Sequence, residues 1–119
     1  MASEKSSYWN PEVECMPRKE LEKLKWERLQ RQLRYNYNCV PLYRKLWNEA
    51  GIKPDDIKNL DDFMGKVPLI EKRDFREYRE STGDPWCGIL AVPLDRVRTI
   101  GTTTGTTGEH VFYAWTGFD

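Results

Sequence analysis

The sequence predicts an α+β arrangement, in which a helical region over residues 17–97 leads into a strand–loop–strand unit over residues 98–119. Two observations predict it. Apolar residues recur at helical spacing in the first half of the chain. Near its end, β-favouring residues lie on both sides of a stretch rich in threonine and glycine. Residues 1–16 are polar, and we expect them to form an extended N-terminal arm.

The first long helix is predicted from the spacing of its apolar residues. Pro17 suits the first turn of a helix. The apolar residues that follow at intervals of three or four positions are Trp26, Leu29, Leu33 and Tyr37. Because such intervals place side chains on one helix face, these residues form an apolar stripe. We expect the stripe to pack on the chain's own core, with a partner-binding face as the alternative.

Shorter helices are predicted over the next 50 or so residues. The second helix runs from Pro41 to Ala50, since the residue before a proline avoids the helical conformation and Gly51 suits the position after a helix end. The remaining helical segments are a short piece around residues 62–64, capped by Asn59 or Asp61, a third helix over residues 71–78 with Phe75 and Tyr78 facing inward, and a turn or short connection over residues 93–97.

The C-terminal unit consists of two predicted strands and the loop between them. Residues 98–102 alternate as strand residues do, and residues 111–115 are aromatic and β-favouring. Residues 102–108 carry only hydroxyl side chains or none. Glycine lets a ligand approach the backbone N–H groups closely, and the hydroxyls add further donors. Such a loop suits a polyphosphate, with a plain solvated turn as the alternative.

Two common phosphate-binding motifs do not fit this loop. A Walker loop needs a lysine directly after its second glycine, but Gly108 is followed by Glu109. A dinucleotide-binding fingerprint runs into a helix, whereas here a strand follows and Gly101, Gly105 and Gly108 have the wrong first spacing. The loop is therefore expected to bind phosphate through N–H and hydroxyl groups without a helix dipole.

Composition excludes other classes of function. Lys plus Arg and Asp plus Glu both number 19, so nucleic-acid binding has no electrostatic support. No apolar run approaches the roughly 20 residues that span a bilayer, and the N-terminus lacks the apolar segment of a signal peptide. We expect a cytosolic protein. Three widely spaced cysteines and one histidine predict reduced thiols, with no disulfide framework and no metal site.

The loop and its flanks resemble the phenylacetate–CoA ligase family, within the acyl-adenylate-forming superfamily of AMP-dependent synthetases and ligases. Residues 103–108 are similar to the signature Ser/Thr-Ser/Thr-Gly-Thr-Thr-Gly-Lys-Pro of that superfamily. The flanks similar to the N-terminal region of the family are residues 38–44, 49–56, 67–69, 74–76 and 91–93, together with Lys72. The resemblance covers roughly residues 17–116.

The resemblance implies an α/β enzyme that activates a phenylacetate-like aryl acid with ATP and Mg²⁺, forms an acyl-adenylate and transfers the acyl group to coenzyme A. It also implies a loop that closes over the β- and γ-phosphates of ATP. The residues implied in phosphate binding are Thr103, Thr104, Gly105, Thr106, Thr107 and Gly108. The acyl pocket, the magnesium-binding acid and a catalytic lysine are implied beyond residue 119. We therefore expect a fragment that is inactive and marginally stable alone. Members of the family often form homodimers.

One departure from the family signature lies at the end of the loop. Glu109-His110 replaces the Lys-Pro of the signature. We expect Glu109 to face away from the phosphates or to lie near magnesium, and we interpret His110 as a surface residue at a strand end. Two alternative functions stay open, namely a non-enzymatic helical interaction module and an adenylating enzyme whose acceptor is not coenzyme A.

Overall fold

The computed structural model describes residues 7–104 and 110–119. Its regular elements are α1 (Pro11–Glu14), α2 (Arg18–Cys39), α3 (Pro41–Glu49), α4 (Leu60–Lys66), α5 (Lys72–Thr82), β1 (Val97–Thr102) and β2 (Phe112–Thr116). Single 3₁₀ turns lie at Pro54–Asp56 and Leu94–Arg96. A mostly helical body that leads into an antiparallel strand pair confirms the predicted α+β arrangement. No helix in the described part of the chain is long and apolar enough to cross a membrane.

The extended conformation expected for the N-terminal arm is wrong at α1. The side chain of Asn10 accepts a hydrogen bond from the backbone N–H of Val13 at 3.3 Å. The carboxylate of Glu14 accepts one from the backbone N–H of Asn10 at 2.7 Å. Pro11 has no N–H to satisfy in this first turn. The sequence signal for this helical turn is Asn10-Pro11 followed by Glu14. Trp9 is 99% exposed and does not pack onto the body.

The apolar stripe of α2 packs on the chain's own core, as predicted. The core centres on three buried side chains, Leu33 from α2, Trp47 from α3 and Ile57 from the segment after the first 3₁₀ turn. The partly buried residues packed against them are Trp26, Leu29, Tyr37, Ile52, Phe63 and Val67. The Tyr37 hydroxyl also donates a hydrogen bond to the side-chain oxygen of Asn48 at 2.6 Å. The stripe thus anchors α2 to α3.

Helix α4 is capped by Asn59, which was one of the two predicted caps. The side-chain oxygen of Asn59 accepts a hydrogen bond from the backbone N–H of Asp62 at 2.8 Å. The Asp62 carboxylate accepts one from the backbone N–H of Lys58 at 2.9 Å and lies 2.7 Å from the Lys66 ammonium. The hydrogen bond from Lys66, followed by that from Lys58, lowers the pKa of Asp62.

Helix α5 runs one turn further than predicted. The hydroxyls of Ser81 and Thr82 both donate to the carbonyl of Tyr78, at 3.1 and 2.6 Å, so hydroxyl side chains support the last turn. Gly83 then adopts φ +74°, the left-handed conformation that commonly ends a helix. The longer helix places the guanidinium of Arg79 next to the segment that precedes β2.

Strands β1 and β2 pair antiparallel, which confirms the two strands predicted over residues 98–102 and 111–115. The register places Thr99 opposite Trp115, Ile100 opposite Ala114, Gly101 opposite Tyr113 and Thr102 opposite Phe112. Each strand is displaced from its predicted limits by one residue at most. The pair has no third strand among the described residues, and two strands alone are marginally stable. Support for the pair must therefore come from contacts with the helical body.

The fold leaves much of its surface uncovered. Its accessible surface is 9493 Å², whereas a compact monomer of this mass exposes about 6,700 Å². Several large apolar side chains are well exposed, among them Leu69 at 90% and Leu94 at 62%. We therefore expect a small core to carry most of the stability.

Candidate phosphate-binding site

The structure describes only the beginning of the predicted phosphate loop. Thr103 is half-buried and Thr104 is exposed. The other four predicted residues, Gly105, Thr106, Thr107 and Gly108, lie outside the described residues, as does Glu109. The described part of the site is its base, which is formed by the residues that enter and leave the loop.

Hydrogen bonds between Thr103 and Val111 close the base of the loop. The backbone N–H of Thr103 donates to the carbonyl of Val111 at 3.1 Å. The backbone N–H of Val111 donates to the hydroxyl oxygen of Thr103 at 3.2 Å. A hydroxyl that accepts one bond keeps its own proton for donation. The Thr103 hydroxyl therefore closes the hairpin and retains one donor.

His110 adds a bond across the same base. Its ring Nδ1 lies 2.7 Å from the backbone carbonyl oxygen of Thr103. A carbonyl oxygen only accepts, so Nδ1 carries a proton in this contact. The predicted position of His110, exposed and just before β2, is confirmed, but its side chain has a specific partner that the sequence did not reveal.

Arg79 connects this base to helix α5. Its Nη2 donates to the backbone carbonyl of His110 at 2.6 Å. Its Nε and Nη2 also lie 3.3 and 3.1 Å from the sulfur of Cys87, which is fully buried. The sequence did not predict this contact of Arg79. It is 31 positions from His110, and no local pattern links the two.

The Cys87 sulfur, which accepts hydrogen bonds from Arg79, lies in a tight turn between α5 and β1. The Asp84 carboxylate accepts hydrogen bonds from the backbone N–H groups of Trp86 at 3.0 Å and Gly88 at 2.8 Å. Cys87 and Gly88 have φ values of +54° and +73°. The Gly88 carbonyl accepts a bond from the N–H of Leu42 at 2.9 Å, which ties the turn to α3.

Aromatic contacts hold the start of β2 on the same turn. The rings of Trp86 and Phe112 meet edge to face, with centroids 6.3 Å apart. Tyr113 and Trp115 form a second edge-to-face pair at 5.1 Å on the strand. Beside β2 lies an open groove of about 820 Å³, which is also lined by Tyr35 and Phe118. The aromatic side chains of the second strand are thus partly exposed.

Thr116 closes the turn that follows β2. Its hydroxyl oxygen accepts a bond from the N–H of Phe118 at 3.2 Å. Its backbone N–H donates to the carboxylate of Asp119 at 2.6 Å, as in a capping box. This backbone bond, followed by the one from the Thr116 hydroxyl, lowers the pKa of Asp119.

The chain is similar to known ligases. The phenylacetate–coenzyme A ligase of Thermus thermophilus is 36% identical over 111 residues, which are 93% of this chain and 23% of that protein. The Escherichia coli phenylacetate–coenzyme A ligase is 36% identical over 101 residues, 84% of this chain and 21% of that protein. No family model matches the sequence.

Solved structures with a similar fold are also coenzyme A ligases. A crystal structure of 2-hydroxyisobutyryl-CoA ligase, in an open conformation with 2-HIB-AMP and CoA, matches 98% of this chain and 24% of its own chain. The TM-score is 0.83 and the sequence identity is 29%. The same ligase in its thioesterification state matches with a TM-score of 0.82. The chain spans about a quarter of the length of these ligases. Sequence and fold together place it in the phenylacetate–coenzyme A ligase family.

Proposed function

We propose that the chain supplies the phosphate-binding segment of an acid–coenzyme A ligase, which adenylates a phenylacetate-like acid with ATP and passes the acyl group to coenzyme A. One observation carries the proposal. A run of hydroxyl side chains and glycines follows a hairpin base that is closed by hydrogen bonds, in a chain 36% identical to phenylacetate–coenzyme A ligase over 93% of its length.

The chemistry of the loop suits the departure of pyrophosphate. When the acid attacks the α-phosphorus of ATP, negative charge develops on the leaving β- and γ-phosphates. Backbone N–H groups and hydroxyls aimed at those oxygens stabilise the charge most when they are already in place. We assign this role to residues 103–108, with hydroxyls from the threonines and close backbone approach at Gly105 and Gly108.

The chain's own contribution is binding and orientation. Within residues 7–104 and 110–119, no three His, Cys, Asp or Glu side chains come together as a metal site, so we assign no step through magnesium to the described residues. The acid pocket and the acyl acceptor site are proposed to lie in the other three quarters of the family fold. The 119 residues alone are thus expected to turn over no ATP.

We further propose a cytosolic enzyme, in line with its three free cysteines. We also propose that the full-length protein pairs as a homodimer.

A chimera tests this proposal. The ligase chimera carries this chain in place of the matching segment of the Thermus thermophilus enzyme. We expect acid-dependent exchange of labelled pyrophosphate into ATP, and coenzyme A thioester formation with phenylacetate, because the chain supplies the phosphate-binding segment. The host enzyme without the segment is the control. A chimera with native-like circular dichroism and thermal unfolding but no exchange would contradict the proposal. Exchange without thioester formation would favour an acceptor other than coenzyme A.

A further inference from the structure

We propose that Arg79 is a positioning residue for the phosphate loop, and that it acts through His110. The loop clasp consists of Thr103, His110 and Val111, with Arg79 bound to it from α5. The inference deepens the proposed function, on which its ATP-binding part rests. The clasp itself rests only on the geometry of the described residues.

The clasp ties the two ends of the loop to each other. Thr103 and Val111 exchange a backbone bond and a hydroxyl bond, at 3.1 and 3.2 Å. His110 is held at two points, because its ring donates to the Thr103 carbonyl and its own carbonyl accepts from Arg79. Only residues 104–109 lie between the two sides of the clasp. The positions at which the loop leaves and re-enters the fold are thereby fixed.

Arg79 ties the clasp to a rigid part of the molecule. Its guanidinium is shared between the His110 carbonyl and the sulfur of Cys87. That sulfur is fully buried in the turn that the Asp84 carboxylate closes and that Leu42 binds through the Gly88 carbonyl. A planar guanidinium can donate in two directions at once, which a single ammonium does less well. Arg79 therefore holds the end of the loop at a fixed position relative to the helical body.

The clasp gives His110, the second residue of the departure from the family signature, a physical role. The family signature has proline at this position, and proline fixes its own φ and lacks an N–H. This chain has a histidine there, which has a freer backbone but is bonded through both its ring and its carbonyl. Hydrogen bonds thus replace the covalent restraint of the proline ring. A loop whose ends are held in place loses less entropy when it binds a ligand.

Nuclear magnetic resonance of the 119-residue chain tests the clasp directly. His110 is the only histidine, so its ring ¹⁵N shifts need no assignment by mutation. In the alkaline range, where imidazole is uncharged, we expect the Nδ1–H tautomer to dominate, whereas an unbonded exposed imidazole favours Nε2–H. We expect Arg79→Ala to reduce the Nδ1–H population and to accelerate exchange of the Val111 amide about tenfold.

Two further variants separate loss of the clasp from a general loss of folding. Arg79→Lys retains the charge and the aliphatic stem, so it is expected to fold as the wild type does and still to lose part of the Nδ1–H population. Arg73→Ala is the matched control, because it removes an exposed arginine of the same helix that pairs with Glu77 at 3.6 Å. A dominant Nε2–H tautomer in the wild type, or equal effects of Arg79→Ala and Arg73→Ala, would overturn the clasp.

Binding of ATP by the ligase chimera tests the positioning role. We expect Arg79→Ala to raise the Kd of ATP about tenfold and to leave the Kd of AMP unchanged, since only the triphosphate tail reaches the loop. If Thr106→Ala weakens ATP binding and Arg79→Ala does not, the positioning role is wrong and the proposed function stands. If neither variant weakens it, the proposed phosphate site is wrong, while the tautomer measurement still decides whether the clasp exists.

Discussion

Replacing Trp47 with alanine is expected to lower the free energy of unfolding by about 3–5 kcal/mol, the usual range for deleting a buried large aromatic side chain. Trp47 is 3% exposed and belongs to the buried core cluster that also contains Leu33 and Ile57. Its ring also lies 6.0 Å from that of Tyr37, which connects α3 to α2. Because the core is small, this loss should lower the urea midpoint sharply.

The matched control for this substitution is Trp9→Ala. Trp9 is 99% exposed, so the same chemical change removes almost no buried surface. We expect its urea midpoint to stay within error of the wild type, since exposed substitutions change stability by about 0.5 kcal/mol or less. Urea unfolding is measured by far-ultraviolet circular dichroism. Equal losses of unfolding free energy from the two substitutions would show that Trp47 is not central to the core.

Gly88→Ala is expected to lower the free energy of unfolding by about 2–4 kcal/mol, through backbone strain and crowding together. Gly88 has φ +73°, a conformation that costs an alanine energy. A Cβ at this position would lie 2.7 Å from the Tyr78 ring and 3.0 Å from the backbone nitrogen of Leu42. Leu42 cannot easily move away, because its N–H donates to the Gly88 carbonyl at 2.9 Å.

Gly51→Ala separates the two causes. Gly51 has a similar φ of +69°, but a Cβ there would meet no atom within 4 Å. We therefore expect Gly51→Ala to cost only the backbone term, about 1–2 kcal/mol. The measurement is the shift in urea midpoint of both variants. If Gly51→Ala destabilised the chain as much as Gly88→Ala does, the tight contact between the turn, α3 and α5 would be refuted.

Local sequence patterns predicted much of the fold because the interactions they report are local. The stripe on α2 depends on residues three and four positions apart, so Trp26, Leu29 and Leu33 could be assigned to one face without a structure. The cap Asn59 and the helix-ending Gly51 are likewise set by neighbours in sequence. The strands are predictable because β-favouring residues lie on both sides of the loop.

The features that the sequence could not predict depend on long-range contacts. Arg79 lies in a charged helix where nothing distinguishes it from Arg73, and only the fold brings it to His110. The conformation of Gly88 follows from a turn that is closed by the Asp84 carboxylate and packed on Leu42. The residues of the loop itself, Gly105 to Gly108, lie outside the described residues, so their role stays a prediction.

Nucleotide affinity of loop variants in the ligase chimera tests the central claim most directly. Thr106→Ala and Gly108→Ala are expected to raise the Kd of ATP about tenfold or more, because each disturbs donors to the β- and γ-phosphates. The Kd of AMP, which lacks those phosphates, should not change, and Thr99→Ala, on β1 outside the loop, should change neither value. Equal weakening of ATP and AMP, or no change for either nucleotide, would contradict a phosphate-binding role for residues 103–108.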